Sequence, residues 1–539
     1  MLMERGSWLL AFLLGWVALW LALGNPGTVA NGTFAFDSDY PNAAAAFELF
    51  VRDSWRFPLG ENPAFGGINL FFSDAAPWFA LLAKAVHGMT GIFIPFDTLI
   101  LVNFVLFSVM AHRWARRLST DMQGRWLITV LLVFSLIMPV RTLGAQHIAL
   151  SGYWVLLWAM CCVTPIRGNV PSLWQQWECV AVATMAFLTH SYLGSMATGF
   201  MLVALILQRH WRQAIAILIA PLLALYLFGF FERKYATIPG AKEFSFDLLA
   251  FLQTLNWGVV PSLYPIAPSQ GDVFVYLGTG VWAMILMCLV AFLLTALRDR
   301  QSRSGGISIH LRATSLRNAS LPSVSLPGTS LYCAALALAV FALALNLRVA
   351  GQVWVSLPFI EPFSTLYERF RSPGRFAAPL AYLIMASVAL LWLRLRHRLT
   401  SVLWWSGCVV AVALQVADLH AASEEGPLNE PSVMEDAVQQ GRQMARLLDG
   451  QRWSGRVFKD VGYHELEDQR LLDRLLVQYG ANQFSVVHGA RLDPDEVRER
   501  SLLVQSAQAG DITITRQDAG AVCTGSEVRI KVFSVCLLQ

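Results

Sequence analysis

The stretch FAFDSDYPNAAAAFELFVRDSWRFPLGENPAFGGINLFFSD, residues 34 to 74, decides how the rest of the chain can fold. It begins about ten residues after an apolar N-terminal segment. Its acids are Asp37, Asp39, Glu48, Asp53, Glu61 and Asp74. Ionised side chains are expensive inside hydrocarbon. We therefore interpret the stretch as a loop outside the bilayer, between the first two membrane spans.

The composition supports a membrane setting. Hydrophobic residues make up 56% of the 539 residues, charged residues only 14%, and the mean hydropathy is +0.51. These values are typical of polytopic membrane proteins. The net charge of +4 is small and no basic cluster with interleaved aromatic residues occurs, so nucleic acid is not an expected partner.

Apolar runs set the predicted topology, because about 20 helical residues cross the hydrocarbon core. We predict eleven transmembrane helices, at 7–24, 96–115, 126–142, 150–166, 174–190, 192–208, 211–230, 273–297, 329–347, 376–395 and 401–419. The first run is compatible with a signal peptide, but no convincing small-residue cleavage site follows it. We interpret it as an uncleaved anchor whose N-terminus lies in the cytoplasm.

The run at 76–93 is ambiguous. If this run crosses the membrane, every later loop moves to the opposite side of the membrane. If it is an interfacial helix, short basic loops such as RWARR (113–117) and RLRHR (394–398) lie on the cytoplasmic side, as the positive-inside rule requires. We favour the interfacial helix, and Lys84 and His87 suit a surface position there. The first external loop is then 25–95.

A change of composition at Ala421 divides the chain into a transmembrane domain, 1–420, and an external domain, 421–539. The latter is expected to be a small soluble α+β domain. Its predicted elements are helices at 433–448 and 464–478, strands near 455–459, 484–488 and 511–515, and one strand over VRIKVFSVCLL near the end. Cys523 and Cys536 fit a disulfide in an oxidising compartment or two free thiols equally well.

Five segments carry a family resemblance: DSDYPNAAAAFELFVRDSWRFPLGENPAFG, FFSDAAPWFALLAK, RTLGAQHIALSGYWVL, FLTHSYLGSMA and FRSPGRFAAP. In order and content they resemble the GT-C superfamily of integral-membrane glycosyltransferases, and more closely a family of bacterial membrane proteins of uncharacterised function. The resemblance covers roughly residues 7 to 400. It implies an all-α, GT-C-like polytopic fold of about eleven transmembrane helices, followed here by the small C-terminal domain.

The resemblance also implies an activity. A GT-C enzyme transfers a sugar from a polyprenyl-phosphate donor to a glycan, lipid or protein acceptor, here on the periplasmic side of a bacterial inner membrane. A carboxylate must take the proton of the acceptor hydroxyl, while the leaving phosphate needs positive charge rather than a general acid. One-step displacement inverts the anomeric centre. Membrane lipids are the remaining expected partners.

The candidate catalytic acids follow from the resemblance. Asp39 falls where the family acid sits, and Asp37 is a second carboxylate two residues away, so the pair is also a candidate site for a divalent cation, Mg or Mn. By spacing alone, both acids are better explained as solvated or helix-capping groups, and it is the resemblance that favours a catalytic role. Asp74 either offsets a helix dipole or faces the same cleft.

The other candidates bind the donor phosphate or the substrate. We assign Arg371 and Arg375, in ERFRSPGRF, to the donor phosphate, because paired guanidinium N–H groups bind phosphate. Arg141 and His147 are assigned with them, because they lie at the outer end of a predicted span, where charged and polar groups are expensive unless they face a cavity. The candidate substrate contacts are His190, Tyr192, Trp257 and Tyr264. Structural alternatives remain for each: a hydrogen-bonded histidine, lipid head groups for the arginines and interfacial anchoring for the aromatic rings.

Two other functions would explain many spans. A transporter or flippase of lipid-linked saccharides predicts ionisable groups near mid-span and repeated halves, and neither is evident in the sequence. A non-catalytic envelope-assembly protein would account for the C-terminal domain, but it would not require carboxylates beside the membrane.

Overall fold

The computed structural model describes part of the chain in detail. The described residues are 2–23, 40–144, 146–165, 173–232, 240–265, 268–304, 327–425, 457–460, 477, 483–484, 512–516, 526–530 and 533–537. Asp37 and Asp39 lie outside them. The predicted roles of these two acids therefore stay predictions.

The protein is mostly helical in this part of the chain, as an all-α membrane protein should be. In chain order the helices are α1 Leu2–Leu23, α2 Tyr40–Arg52, α3 Pro77–Thr90, α4 Thr98–Leu118, α5 Met122–Val133, α6 Ile137–Leu143, α7 Trp154–Val163, α8 Leu173–Thr189, α9 Ser191–Leu207, α10 Trp211–Leu227, α11 Thr279–Ser304, α12 Thr329–Ala342, α13 Ser364–Glu368, α14 Ala378–Leu395 and α15 Ser401–Glu425.

Six apolar segments within the described residues are long enough to cross a membrane: Gly6–Leu23, Thr98–Leu118, Met122–Leu143, Thr279–Leu297, Pro373–Leu395 and Ser401–Ser423. Five shorter apolar helices, α7, α8, α9, α10 and α12, coincide with the other predicted spans. The helical, membrane-associated character is thus confirmed, whereas the count of eleven spans remains a prediction.

The predicted first external loop folds around two helices. α2 begins at Tyr40, directly after Asp39, with Pro41 in its first turn, where the missing N–H costs nothing. Its residues from Tyr40 to Val51 are all buried. α3 is the amphipathic helix of the 76–93 run, but the surface position expected for Lys84 was wrong. That side chain is 3% exposed, and its Nζ lies 3.9 Å from the centroid of the Phe50 ring.

The helix α4 organises the core next to the candidate site. It packs against α1, α5 and α7. Its buried Asn103 donates to Ile148 O (2.9 Å) and to Ser151 Oγ (3.0 Å), and accepts from Trp154 Nε1 (3.1 Å). A buried amide is stable only when its hydrogen bonds are satisfied. Asn103 therefore fixes the irregular segment between α6 and α7.

The described residues form two sheets. Strands β1 (Asn346–Val349) and β2 (Gln352–Ser356) form an antiparallel hairpin between α12 and α13. The C-terminal strands are β3 Val457–Asp460, β4 Gln483–Phe484, β5 Ile512–Arg516, β6 Ser526–Ile530 and β7 Phe533–Leu537. They form one mixed sheet in the order β4-β3-β5-β7-β6, in which β3 pairs in parallel with β4 and β5, and β7 pairs antiparallel with β5 and β6.

The strands correct one prediction. VRIKVFSVCLL is not a single strand but is divided between β6, which ends at Ile530, and β7, which begins at Phe533, and these two strands pair antiparallel. The predicted helices at 433–448 and 464–478 lie outside the described residues, apart from the helical Val477. Cys523 also lies outside them, so its pairing with Cys536 stays a prediction. The carbonyl oxygen of Val477 accepts a hydrogen bond from Arg52 Nη1 at 3.2 Å.

Candidate active site

A carboxylate–imidazole pair forms one half of the candidate site. Asp74 lies between the 3₁₀ turn Leu70–Phe72 and α3, and its Oδ1 is 3.1 Å from His190 Nε2. His190 precedes α9, and its Nδ1 accepts the backbone N–H of Tyr192 at 3.1 Å. Because Nδ1 accepts, the ring proton is on Nε2 and is donated to Asp74. His190 therefore caps a helix and orients a carboxylate at once.

The backbone around this pair is unusual. Asp74, Ala76 and Gln146 have φ values of +53°, +46° and +53°. Non-glycine residues rarely adopt this left-handed region, and such conformations cluster at functional sites. Gln146 directly precedes His147, whose Nδ1 lies 3.8 Å from Asp74 Oδ2. Two constrained segments thus bring His147 and His190 to the same carboxylate.

Two buried arginines and one acid form the other half. Arg375 Nη2 lies 3.0 Å from Asp272 Oδ2, and Arg375 Nε donates to the Asp272 carbonyl oxygen at 3.2 Å. Arg141 Nη1 lies 3.4 Å from Asp272 Oδ1, and Arg141 Nη2 also bonds to that carbonyl. Arg141 is 0% exposed and Arg375 is 6% exposed, whereas the Asp272 side chain is 22% exposed. The acid is therefore closer to solvent than either cation.

Electrostatics join the two halves. Burial raises the pKa of Asp74, but the neighbouring His190, His147 and Arg375 outweigh it and lower the pKa well below its ordinary value. For Asp272, burial again raises the pKa, and Arg375, Arg141 and His147 lower it well below the usual range. Because His147 and Arg375 act on both acids, Asp74 and Asp272 belong to one cluster.

Tyr192 connects α9 to the arginine loop. Its hydroxyl oxygen accepts the backbone N–H of Ser372 at 3.0 Å, and the Arg375 guanidinium carbon lies 4.8 Å from its ring centroid. Nearby, Ser372 Oγ, Gln146 Oε1 and Arg141 Nε are buried and lack a hydrogen-bond partner among the described residues. Buried polar atoms normally find partners. Each of these three atoms has hydrogen-bonding capacity left for a polar ligand.

The structure separates the predicted site residues into two groups. Asp74, Arg141, His147, His190, Tyr192 and Arg375 lie together in this cluster. Arg375 is buried in this cluster.

The remaining predicted residues make other contacts. Arg371 is exposed and lies over the ring of Phe244, 5.1 Å from its centroid. Trp257 packs against Gly144 near the end of α6, at a position where a Cβ on Gly144 would lie 2.5 Å from the indole. Tyr264 lines a small cavity with Asp247 and Gln253. Their predicted roles remain untested.

Sequence reasoning missed Asp272. It lies in the glycine-rich segment GDVFVYLGTG. The available signal was an isolated acid at the start of a long apolar run, in a chain whose Arg141 and Arg375 also border apolar runs. Charges at such positions need partners, but the sequence does not say which acid meets which arginine.

A metal site is not evident in the described part of the chain, where no group of three or more His, Cys, Asp or Glu side chains is placed to hold an ion. The predicted cation ligands Asp37 and Asp39 lie outside that part. Their metal-binding role stays a prediction.

The fold and the site together define a mostly helical, membrane-associated protein with a cluster of buried charges beside its spans. A family model described as "Domain of unknown function (DUF6311)" matches residues 10–420. The match covers more than half of the 539 residues, and the chain therefore belongs to the DUF6311 family. The matched region holds all of the helices from α2 to α14 and ends before β3. No curated protein matches the chain.

Proposed function

We propose that this protein is a GT-C-like membrane glycosyltransferase that moves a sugar from a polyprenyl-phosphate donor to a glycan, lipid or protein acceptor, with inversion. One observation carries the proposal: an oriented carboxylate, Asp74, and two buried arginines, Arg141 and Arg375, lie in a single cluster joined by His147. Sugar transfer from a phosphate carrier needs both kinds of group, a carboxylate for the acceptor and positive charge for the leaving group.

The arginines suit the donor. Guanidinium groups bind phosphate oxygens through paired N–H donors, and here Arg375 and Arg141 are already held in place by Asp272. A donor phosphate at the opening would share these donors with Asp272 and accept from the Ser372 hydroxyl, which has no partner among the described residues. As the anomeric carbon–oxygen bond breaks, the negative charge developing on the phosphate is stabilised by both cations.

Two carboxylates suit the acceptor. The lowered pKa of Asp74 keeps it ionised but makes it a weak base, so we assign it to hydrogen-bond and orient the acceptor hydroxyl. We assign proton removal to Asp39, which immediately precedes α2 in the chain. Asp37 then either assists Asp39 or completes a divalent-cation site. The acceptor oxygen attacks the face of the sugar opposite the phosphate, which gives inversion.

The orientation is part of the proposal. With the basic loops inside, the protein lies in a bacterial inner membrane with its N-terminus in the cytoplasm, and the site and the C-terminal domain face the periplasm. The C-terminal domain would recognise or orient the acceptor.

The test is transfer by the purified, reconstituted protein with a panel of polyprenyl-phosphate sugars. We expect donor-dependent transfer that Asp39→Asn abolishes and Asp74→Asn lowers about 10²-fold or more. Asp53→Asn is the matched control, because Asp53 lies in the same region but pairs with the exposed Arg56 at 2.9 Å; it should retain activity. Chelation of divalent cations shows in the same assay whether a metal is required.

A folded protein that binds none of the donors would overturn the glycosyltransferase proposal. The alternative is a transporter or flippase of lipid-linked saccharides, which the burial of Arg141 and Arg375 at the ends of candidate spans also suits. It predicts that the lipid-linked saccharide crosses the bilayer intact, without transfer to an acceptor.

A further inference from the structure

A cavity that contains none of the candidate active-site residues lies between α5 and the first half of α15. It has a volume of about 490 Å³, within the range of roughly 300–1,000 Å³ that holds small ligands. Its lining is almost entirely apolar and includes Met122, Trp126, Val130, Trp405, Val409 and Ala413. Both helices belong to candidate membrane spans. We call this cavity the α5–α15 groove.

The wall of the groove is built rigidly. Trp404 is 1% exposed and exchanges two hydrogen bonds with α14: its Nε1 donates to Trp392 O at 3.2 Å, and Trp392 Nε1 donates to Trp404 O at 3.3 Å. On the other side, Trp126 stacks on His112 with ring centroids 4.6 Å apart. Because these rings are held by partners outside the groove, side-chain collapse does not readily fill it.

Positive charge surrounds the end of the groove nearest the α14–α15 connection. That connection contains Arg396 and Arg398, and Arg394 lies in the last turn of α14; all three side chains are exposed. The guanidinium carbon of Arg396 lies 5.4 Å from the Trp404 ring centroid, and its Nη1 is only loosely paired with Asp121, at 3.8 Å. This end therefore favours an anionic group above an apolar slot.

A polar atom in the groove also lacks a partner. Gln123 lines the cavity, and its Oε1 is buried without a hydrogen bond among the described residues. A buried amide oxygen of this kind is satisfied by a ligand that carries a hydroxyl or an amine near the polar end of its chain.

We propose that the α5–α15 groove binds one anionic glycerophospholipid, with an acyl chain between the helices and the phosphate head group at Arg396. An apolar slot inside the bilayer is filled by lipid rather than water, and the arginines select a negative head group. None of the residues that line the groove belongs to the cluster around Asp272, and Arg141 lies on α6, past the break that separates α6 from α5. The lipid therefore binds apart from the cluster around Asp272.

The test is native mass spectrometry of the full-length protein, delipidated in detergent and titrated with palmitoyl-oleoyl phosphatidylglycerol or with phosphatidylcholine of the same chains. We expect one retained phosphatidylglycerol and several-fold weaker retention of phosphatidylcholine. Arg396→Gln should weaken the retention of phosphatidylglycerol about fivefold, because it removes one positive charge near the head group. It should leave the retention of phosphatidylcholine unchanged.

Ala413→Trp blocks the slot itself. Ala413 is exposed on α15, so an indole there fills the groove without disturbing the core. The matched control is Ala337→Trp, which places the same indole on the exposed, apolar face of α12. Ala413→Trp should lose the retained lipid, whereas Ala337→Trp should keep it, and both should unfold at the wild-type temperature.

Three results would overturn the proposal: retention of phosphatidylglycerol by Ala413→Trp at the wild-type level, equal retention of the two lipids by the wild type, or a dimer joined through this face that carries no lipid.

Discussion

Asp272 accepts from two guanidinium groups that are almost inaccessible to water. Replacing it with asparagine would leave Arg141 and Arg375 charged, buried and without their acid. Breaking a buried ion pair from one side costs about 3–5 kcal/mol. Because the Asp272 side chain is partly exposed, we expect Asp272→Asn to lower the unfolding free energy by an amount near the low end of that range.

Thermal unfolding in detergent measures this effect, and Asp53→Asn provides the comparison. Asp53 pairs with Arg56, whose side chain is 36% exposed, and pairs of that kind contribute about 0–1 kcal/mol. Equal melting temperatures for the two variants would contradict the role given to Asp272.

The same residue sets a pH dependence. The pKa values of Asp74 and Asp272 are held below the ordinary value of 3.8, so the unfolded chain binds more protons than the folded one as the solution becomes acidic. Their stabilisation is therefore fully present above about pH 5 and is lost as the pH falls below about 4.

The difference in melting temperature between wild type and Asp272→Asn should thus stay constant from pH 7 to 5 and shrink between pH 4 and 2.5. A difference that is constant over the whole range would show that the Asp272 carboxylate is not what the variant removes.

Individual site residues were predictable where a motif marked them. Asp74, His147, His190 and Arg375 each lie in a short polar segment between apolar runs, and the structure brings them together. Pairing was not predictable. Arg371 and Arg375 share one loop, yet the first is exposed over Phe244 and the second is buried on Asp272. That difference depends on how the loop packs against α9 and on residues more than 100 positions away.

At the scale of single helices, His190 has two roles: it caps the start of α9, and it contacts Asp74. Replacing an N-cap by alanine costs about 1 kcal/mol, while asparagine is among the best caps. We expect His190→Ala to lower the unfolding free energy by about that amount and His190→Asn to recover most of it. Both should lose the Asp74 contact, and with it sugar transfer, if the proposed function holds. Thermal unfolding measures the helix-capping role of His190, and the transfer assay measures its role in the candidate active site. A fully active His190→Asn protein would show that His190 has no role in sugar transfer.

Close packing of α11 on α15 depends on Gly280. A Cβ at this position would meet the backbone carbonyl of Ala411, which cannot move aside as a side chain can. We expect Gly280→Ala to destabilise the protein by about 1–3 kcal/mol through overpacking.

Gly88 in α3 is the control for the same substitution, since nothing closer than Trp55 Nε1 at 4.0 Å would meet its Cβ. Alanine there should be neutral or stabilising by up to about 1 kcal/mol. Thermal unfolding of both variants tests this prediction. A Gly280→Ala protein as stable as the wild type would mean that α11 and α15 are packed less closely than in this structure.

Apolar runs predicted where helices occur but not how they are interrupted. The run at 126–142 contains two helices, α5 and α6, separated at Phe134–Leu136, because a helix buried on all sides shows no periodicity that marks a break. The β6–β7 hairpin was missed for a related reason. The sequence between Ile530 and Phe533 contains neither of the residues, glycine and asparagine, that usually identify a hairpin turn.

For the whole molecule, the charge of the loops predicts an orientation. Ser401 begins α15 beside the basic α14–α15 connection, and Gln352 lies in the β1–β2 hairpin; both are exposed. In a background without native cysteines, Gln352→Cys should react with a membrane-impermeant maleimide in cells with a permeable outer membrane. Ser401→Cys should react only after the inner membrane is opened. The reverse pattern would invert the topology and place the candidate active site in the cytoplasm.

The cluster around Asp272 joins three parts of the chain, since Arg141 is 131 residues before the acid and Arg375 is 103 residues after it. This spacing has a consequence for recombination. A crossover between DUF6311 sequences anywhere from 142 to 271, or from 273 to 374, inherits the acid from one parent and an arginine from the other. Chimeras from parents that differ at these positions will fail unless all three residues come from the same parent, however similar the helices around them.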